Sequence, residues 1–208
     1  MITEKNPDHS FLGEEDEAAF DPADVDFCWI VDPLDGTTNY IHALRSFSVS
    51  IALQFKGQTI AGCVYDPLLD EMYAANLGGG ATLNDVPIQA SGAISNKGAL
   101  IAVSLPTGAG RDSEAIKRLT NVLVNSPATI RRLGSTALNL CYVGCGRLDA
   151  YWSTSAKIWD VAAGFLIMQE AGGIIVGVDG KPFEISKIKF VAASTTELST
   201  ELIGHMTE

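Results

Sequence analysis

The sequence lacks any apolar run of about 18 residues, the length that a transmembrane helix needs. Its first ten residues, MITEKNPDHS, contain no apolar signal-peptide core, so we expect a cytoplasmic protein. The four cysteines form no Cys-x-x-Cys pair, and reduced thiols are the simplest expectation. These absences argue against a membrane protein and against a disulfide-rich secreted domain.

Basic charge is also scarce, because 14 Lys and Arg residues stand against 25 Asp and Glu residues, for a net charge of −11. Residues 1–35 carry 11 of the acidic side chains and one basic side chain. An acidic chain repels phosphate backbones and anionic lipids, so we expect neither nucleic acid nor membrane as a partner. Clustered carboxylates attract cations instead, although a solvated acidic surface is an alternative.

The 208 residues, 47% of them hydrophobic, are typical of a globular protein with a sizeable core. Alternating apolar residues predict an antiparallel meander over residues 26–90. After about residue 95, predicted strands alternate with predicted helices at 112–123, 135–143, 158–171 and 195–205, as in a layered α/β sheet. We therefore divide one continuous catalytic unit into an N-terminal antiparallel-sheet half, residues 1–95, and a C-terminal α/β half, residues 96–208.

The strongest functional signal is the segment WIVDPLDGTTNY at residues 29–40. Asp32 and Asp35 follow a predicted buried strand, and a helical turn there would direct both carboxylates to one side. Gly36 leaves room for backbone amides to approach an anion, and a helix beginning at Thr37 favours phosphate at its N-terminus. Carboxylates beside a phosphate require a cation between them, and hard oxygen ligands predict Mg²⁺ or Mn²⁺.

Two related carboxylate motifs fit this segment poorly. An EF-hand loop needs Gly at its sixth position and Glu at its twelfth, but counting from Asp32 these positions hold Thr37 and Ala43. A haloacid-dehalogenase-type phosphatase, which forms an aspartyl-phosphate, would place its two Asp residues two apart rather than three. A purely structural turn remains an alternative for the segment taken alone.

Two further segments carry weaker signals. Asp160 lies at the start of an otherwise apolar predicted helix, where helix capping is the simplest explanation. The pair Glu14-Glu15 follows Gly13, and a solvated acidic loop would explain it equally well. Neither segment identifies a site by itself.

Together, the three segments resemble the motifs of the inositol monophosphatase family. Residues 29–40 and the stretch from WDVAAG to EAGG, residues 159–173, look like its two signature segments, and Gly13-Glu14-Glu15 resembles its third ligand motif. The similarity extends over the whole chain. It implies an α+β fold of the layered αβαβα type, shared with fructose-1,6-bisphosphatase, a homodimer, and a Mg²⁺-dependent phosphomonoesterase that uses a metal-activated water.

The resemblance also implies a role for each matching residue. The expected metal ligands, for two or three Mg²⁺ ions or for Mn²⁺, are Glu14, Asp32, the carbonyl of Leu34, Asp35 and Asp160, with Glu15 nearby. The expected catalytic residues are Glu14, Thr37 and Asp35. The expected substrate contacts are Leu34, Asp35, Gly36, Thr37, Gly134, Ser135, Thr136, Ser153 and Asp160. The other acidic residues of the N-terminal block are expected to be solvated, namely Asp16, Glu17, Asp21, Asp24 and Asp26.

The sequence departs from the family pattern at two places. Ser153 stands where inositol-specific members have Glu, which weakens the case for inositol phosphate because a charge-assisted hydrogen bond is lost. Lys157 favours a second anionic group, so a bisphosphate such as fructose 1,6-bisphosphate or 3′-phosphoadenosine 5′-phosphate is an alternative to an inositol-phosphate-like or sugar phosphate. A histidinol phosphatase of the same family is another alternative. Only 12 residues precede Gly13, so we expect a truncated N-terminal helical layer and exposed apolar surface on the first sheet. A truncated, non-catalytic metal-binding relative is a further alternative.

Overall fold

A computed structural model of the chain describes residues 2–15, 21–185 and 188–207. Its helices are α1 Ile2–Lys5, α2 Thr37–Ile41, α3 Glu114–Asn125, α4 Thr136–Gly144, α5 Ile158–Glu170 and α6 Thr196–Thr207, with a 3₁₀ turn at Pro22–Asp24. The first seven strands are β1 Ser10–Gly13, β2 Phe27–Asp35, β3 Ser48–Phe55, β4 Gln58–Asp66, β5 Glu71–Asn76, β6 Gly80–Leu83 and β7 Val86–Pro87. The other strands are β8 Leu100–Ser104, β9 Thr129–Arg131, β10 Ala150–Ser153, β11 Ile174–Gly177 and β12 Phe190–Ala193.

The strands form two sheets within the described residues. The first runs β1 to β7 in chain order, and its strands from β2 onward are antiparallel, as the alternating sequence predicts. Strand β1 adds a parallel pairing with β2 that the sequence analysis did not predict. The second sheet has the order β11-β12-β10-β8-β9, in which β8 is parallel to β9 and β10 while β12 is antiparallel to both of its neighbours.

Sheets and helices alternate in layers. The inner face of the first sheet packs on α4 and α5, where Ile30 and Val64 contact the cluster that includes Ala163 and Leu166. The opposite side of this helix pair packs on the second sheet, whose far face is covered by α3 and α6. The result is a mixed α+β sandwich, as predicted. Among the described residues, only the four-residue α1 precedes the first sheet.

The apolar character of α4 and α5 follows from their place between two sheets, since a helix that is buried on all sides is hydrophobic on all sides. Helix α5 approaches β4 closely at Gly62, where an added Cβ would lie 2.9 Å from the Cα of Ala163. This contact holds the middle of α5 against the inner face of the first sheet. No helix in residues 2–15, 21–185 and 188–207 is both long and apolar enough to cross a membrane.

Candidate metal centre

Asp32 and Asp35 reach the same side of β2 through a β-bulge. Asp32 pairs with Ser50 and Asp35 with Ser48, so three steps along β2 oppose two steps along β3. No helical turn is needed to bring them together, because the chain stays extended as far as Asp35. Pro33 lies within the bulge, where its missing N–H breaks the ladder, and the extra residue restores the common orientation.

A tight turn follows the bulge. Gly36 has a φ of 88°, and an added Cβ would lie 2.9 Å from the carbonyl oxygen of Ser46, so both conformation and space require glycine. Helix α2 begins at Thr37 as predicted, and the Thr37 hydroxyl donates a hydrogen bond of 2.9 Å to the carbonyl of Leu34. The turn therefore joins the Thr37 hydroxyl to the Leu34 carbonyl.

Asp35 is the best-anchored carboxylate of the cluster. Its Oδ2 accepts hydrogen bonds from the Ala137 amide at 3.0 Å and from the hydroxyls of Ser48 and Ser135, and its Oδ1 accepts from the Thr136 amide at 3.1 Å. Ser135 is also the N-cap of α4, as predicted from the sequence, and accepts from the Leu138 amide. Asp35 thus links the first sheet to the start of a helix in the other half of the chain.

Asp160 enters the cluster from the first turn of α5. Its Oδ2 accepts from the Lys157 amide at 2.8 Å, so it stabilises the helix start and also offers a free oxygen. Ligand oxygens of Asp32, Asp35 and Asp160 all lie within 4.8 Å of one another. The capping explanation and the metal explanation of Asp160 are therefore compatible.

The electrostatics of the cluster favour a bound cation. Burial is the main cause that raises the pKa of Asp32 to about 7; the charges of Asp35, Glu14 and Asp160 act in the same direction, and a hydrogen bond from the Leu34 amide acts against them. Burial likewise raises the pKa of Asp160 to about 7 and raises that of Asp35. Ion pairs between described residues involve none of the three. Like charges on oxygen that are buried or partly buried, and that form no ion pair with a described basic side chain, fit a hard divalent cation.

The two glutamates of the third motif lie in an exposed turn after β1. The charge of Glu14 is close enough to raise the pKa of both Asp32 and Asp160. Glu15 is exposed in the same turn. Asp21, Asp24 and Asp26 are exposed, as predicted, whereas Asp16 and Glu17 lie outside the described residues.

The predicted substrate residues divide into two groups. Gly36, Thr37, Ser135 and Thr136 surround Asp35, and Gly134 packs on Asn39, which donates to the carbonyls of Ser46 and Leu133 at 2.7 Å each. Ser153, in contrast, is fully buried in β10, and its hydroxyl accepts from the Ser155 amide at 3.3 Å. Its hydroxyl is thus engaged within the protein.

Sequence reasoning missed three polar residues that support the site. Ser48 holds Asp35, Asn39 ties the turn to the second half, and the Tyr151 hydroxyl donates to Thr136 at 3.2 Å. One signal was available, since Ser48 and Ser50 alternate with apolar residues in β3 and must share the buried face of the strand. Polar residues at buried strand positions indicate a partner that has to be found.

Comparisons with known proteins agree with the motif resemblance. A family model described as the inositol monophosphatase family matches residues 1–208. The inositol-1-monophosphatase of Mesorhizobium japonicum is 42% identical over 180 residues, which cover 86% of this chain and 67% of that protein. The Nus factor SuhB of Pasteurella multocida is 39% identical over 194 residues, which cover 93% and 72%. The crystal structure of the extragenic suppressor protein suhB from Bartonella henselae superposes with a TM-score of 0.89 at 34% identity, covering 100% and 83%.

Proposed function

The chain belongs to the inositol monophosphatase family, and on this basis we propose that it hydrolyses small phosphate monoesters with the help of Mg²⁺. The observation that carries the proposal is the convergence of Asp32, Asp35 and Asp160, two buried and one partly buried, from two distant segments on one point, where the described ion pairs include none of the three. Bound cations there would lower the pKa of an attacking water and offset the charge of the phosphate and of the leaving oxygen.

The protein's own groups position the reactants. The Thr37 hydroxyl donates a hydrogen bond to the Leu34 carbonyl, so the hydroxyl oxygen can accept a hydrogen bond from a water. Glu14, which is close to Asp32 and Asp160, would accept the second proton of that water and direct its lone pair at the phosphorus. The new bond forms from the water oxygen to phosphorus while the bond from phosphorus to the ester oxygen breaks, and the alcohol leaves after gaining a proton.

The substrate wall supports a ligand other than free inositol phosphate as a second candidate. Ser153 is neutral and buried, so it offers no carboxylate to polyol hydroxyls. Lys157 is exposed beside the cluster, and its charge lowers the pKa of Asp160. A substrate with a second anionic group, such as a bisphosphate, would find a counter-charge there.

A phosphate-release assay with and without Mg²⁺ or Mn²⁺ tests the proposal. The substrates are inositol 1-phosphate, fructose 1,6-bisphosphate, adenosine 3′,5′-bisphosphate and histidinol phosphate. We expect metal-dependent release, faster for a bisphosphate if Lys157 selects the substrate. Asp32→Asn should lower the rate by roughly a thousandfold, because charge stabilisation by metal amounts to several kcal/mol.

Asp24→Asn is the matched control, because Asp24 belongs to the same acidic block but is exposed in the 3₁₀ turn. Its rate should equal that of the unmodified chain. Metal-independent release, or full activity in Asp32→Asn, would refute the mechanism. Metal binding by the cluster without turnover of any substrate would favour the non-catalytic relative.

A further inference from the structure

Strand β1 leads directly into Glu14, the residue that would direct the attacking water. Its four residues pair with β2 alone among the described strands, in the parallel arrangement that is the less stable one per residue. The pairing ends with Gly13 opposite Val31, so the next residues along the two strands are Glu14 and Asp32. The charge of Glu14 accordingly acts to raise the pKa of both Asp32 and Asp160. The position of Glu14 therefore depends on how β1 is aligned with β2.

A misalignment of β1 would remove Glu14 from the site. A shift by one residue turns every side chain of a strand to the opposite face of the sheet. A shift by two residues keeps the faces but moves the strand by about 6.6 Å, since each residue advances it by about 3.3 Å. Either shift would take the Glu14 carboxylate away from Asp32, and a displacement of about 1 Å is enough to cost roughly a hundredfold in rate. The site therefore needs contacts that select one alignment.

Two side chains select the alignment of β1, one on each face of the sheet. On the inner face, Leu12 is 2% exposed and belongs to the same core cluster as Ile30, its partner in the register. On the outer face, His9 precedes β1 and contacts two residues of β2. Its ring stacks on Phe27, with centroids 4.5 Å apart and planes 15° apart, and its Nδ1 accepts a hydrogen bond of 3.0 Å from the indole N–H of Trp29.

The contacts of His9 are specific for one alignment. Phe27 and Trp29 are two positions apart and so lie on the same face of β2. Phe27 is itself held from the other side by Phe55 of β3, with ring centroids 4.8 Å apart. Apolar contacts such as that of Leu12 are non-directional, whereas a hydrogen bond weakens steeply with distance and angle. The bond from Trp29 to His9 therefore defines the alignment more sharply than apolar packing does.

We propose that His9 is a positioning residue for the reaction: bonded to Trp29 and stacked on Phe27, it holds β1 in the alignment that places the Glu14 carboxylate beside Asp32. This role rests on the proposed function, since it is there that Glu14 directs the water. His9 lies on the outer face of the sheet, away from the reacting atoms, so it acts through Glu14.

Steady-state kinetics of the full chain test this role. His9→Phe keeps a ring for the stack but removes the acceptor, and Trp29→Phe removes the donor. Both should lower kcat by about tenfold or more and leave KM within about twofold, because substrate binding is kept while the water is misdirected. His9→Asn, whose Oδ1 lies near the position of Nδ1, should recover most of kcat.

Tyr65→Phe is the matched control. It removes one side-chain hydrogen bond from the same outer face, the 2.8 Å bond from the Tyr65 hydroxyl to Asp70, at a distance from β1. Both kcat and KM should stay unchanged. A loss of kcat in Tyr65→Phe as large as that in His9→Phe would overturn the proposal.

A double-mutant cycle distinguishes positioning from general destabilisation. Glu14→Gln alone should lower kcat and weaken Mn²⁺ binding measured by calorimetry, and His9→Phe alone should weaken Mn²⁺ binding by about tenfold. Because His9 acts through Glu14, adding His9→Phe to Glu14→Gln should lower neither quantity further. Additive losses, or unchanged kcat and Mn²⁺ affinity in both His9→Phe and Trp29→Phe, would overturn the proposal.

Hydrogen exchange gives a readout that needs neither turnover nor metal. The β1 amides should exchange about tenfold faster in His9→Phe than in the unmodified chain, and at an unchanged rate in Tyr65→Phe. If the unmodified chain releases no phosphate from any substrate, the proposed function fails, while the Mn²⁺ cycle and the exchange rates still decide the role of His9. Exchange of β1 that is insensitive to His9→Phe and to Trp29→Phe would show that the bond does not hold the strand, and would overturn the proposal.

Discussion

The two faces of the first sheet each depart from the usual distribution of side chains, because the inner face includes buried polar groups among its apolar ones and the outer face is largely apolar. The inner face buries Asp32, Asp35 and Ser48, whereas the outer face leaves Trp29 and Leu53 partly exposed. Burying polar groups costs free energy unless they find partners, and exposing a broad apolar surface costs free energy unless it is covered. The carboxylates of the inner face therefore fit a bound cation, whereas the outer face presents a broad, partly exposed apolar surface.

The inner face itself contains two kinds of carboxylate. Asp35 accepts four hydrogen bonds from two serines and two amides at the start of α4. Asp32 accepts one, from the Leu34 amide, and Asp160 one, from the Lys157 amide. Asp35 is thus part of the frame that joins the two halves, while Asp32 and Asp160 keep more of their oxygens available to a cation.

The largest expected effect separates these two kinds of carboxylate. Asp35→Asn would replace one carboxylate oxygen by an NH₂ group, which cannot accept a hydrogen bond from the serine hydroxyls or backbone amides that surround it. At least one buried donor would then be unpaired, at a cost of about 1–3 kcal/mol. We expect the metal-free variant to lose that much free energy of unfolding in urea denaturation. Asp32→Asn, the comparison variant, should keep or increase the metal-free stability at neutral pH because it removes a buried charge. Equal losses in both variants would contradict the distinction.

The sequence predicts most of the strands and helices that carry this site, but not the irregular pairings between them. Alternation in β3 and β4, the apolar runs of α4 and α5, and the Ser135 cap are local signals, and the structure has all of them. The bulge between Asp32 and Asp35 was not predicted, because the alternation of apolar and polar residues along a strand does not reveal where one extra residue is inserted. The parallel pairing of β1 with β2 was not predicted, because the four residues of β1 are too few to show a recognisable strand pattern.

Contacts between distant segments were beyond the reach of local patterns. The bond from Ser135 to Asp35 joins residues 100 positions apart, and nothing in either segment encodes the other. Asp160 was associated with Asp32 through the resemblance to a family, since its own surroundings indicate only a helix cap. The exposed apolar surface on the first sheet was also expected from the family resemblance. The alternation of buried and partly exposed apolar residues in β2 and β3 agrees with that expectation.

The pH dependence of metal-free stability offers a second, intermediate effect. Burial raises the pKa of Asp32 and Asp160 from 3.8 to about 7, so the folded state holds their protons more tightly than the unfolded state. Their contribution to stability is therefore present near pH 4 and is lost as the pH rises toward 7. In calorimetry without metal, these two groups should make the melting temperature fall between about pH 4 and pH 7 and cease to affect it above that range.

Addition of Mg²⁺ should reverse that fall, because binding to the native state alone stabilises it and requires deprotonated ligands. Asp32→Asn serves as the control, since it should flatten the metal-free profile and reduce the Mg²⁺ effect together. A melting temperature that rises across this pH range without metal would contradict the electrostatic account of the inner face.

The smallest expected effect concerns the edge where the inner face meets α5. The Glu170 carboxylate accepts hydrogen bonds of 2.8 Å from the Gly78 and Gly80 amides, and so fastens the last turn of α5 to the turn between β5 and β6. Glu170→Gln keeps one acceptor oxygen but places an NH₂ group against the second backbone amide, which then has no acceptor. We expect the free energy of unfolding to fall by about 1 kcal/mol. Hydrogen exchange at Gly78 and Gly80 should accelerate, while Mg²⁺ affinity should stay the same. A drop in Mg²⁺ affinity would mean that the metal centre depends on this edge, and that the inner face is one mechanical unit rather than a local site on a stable sheet.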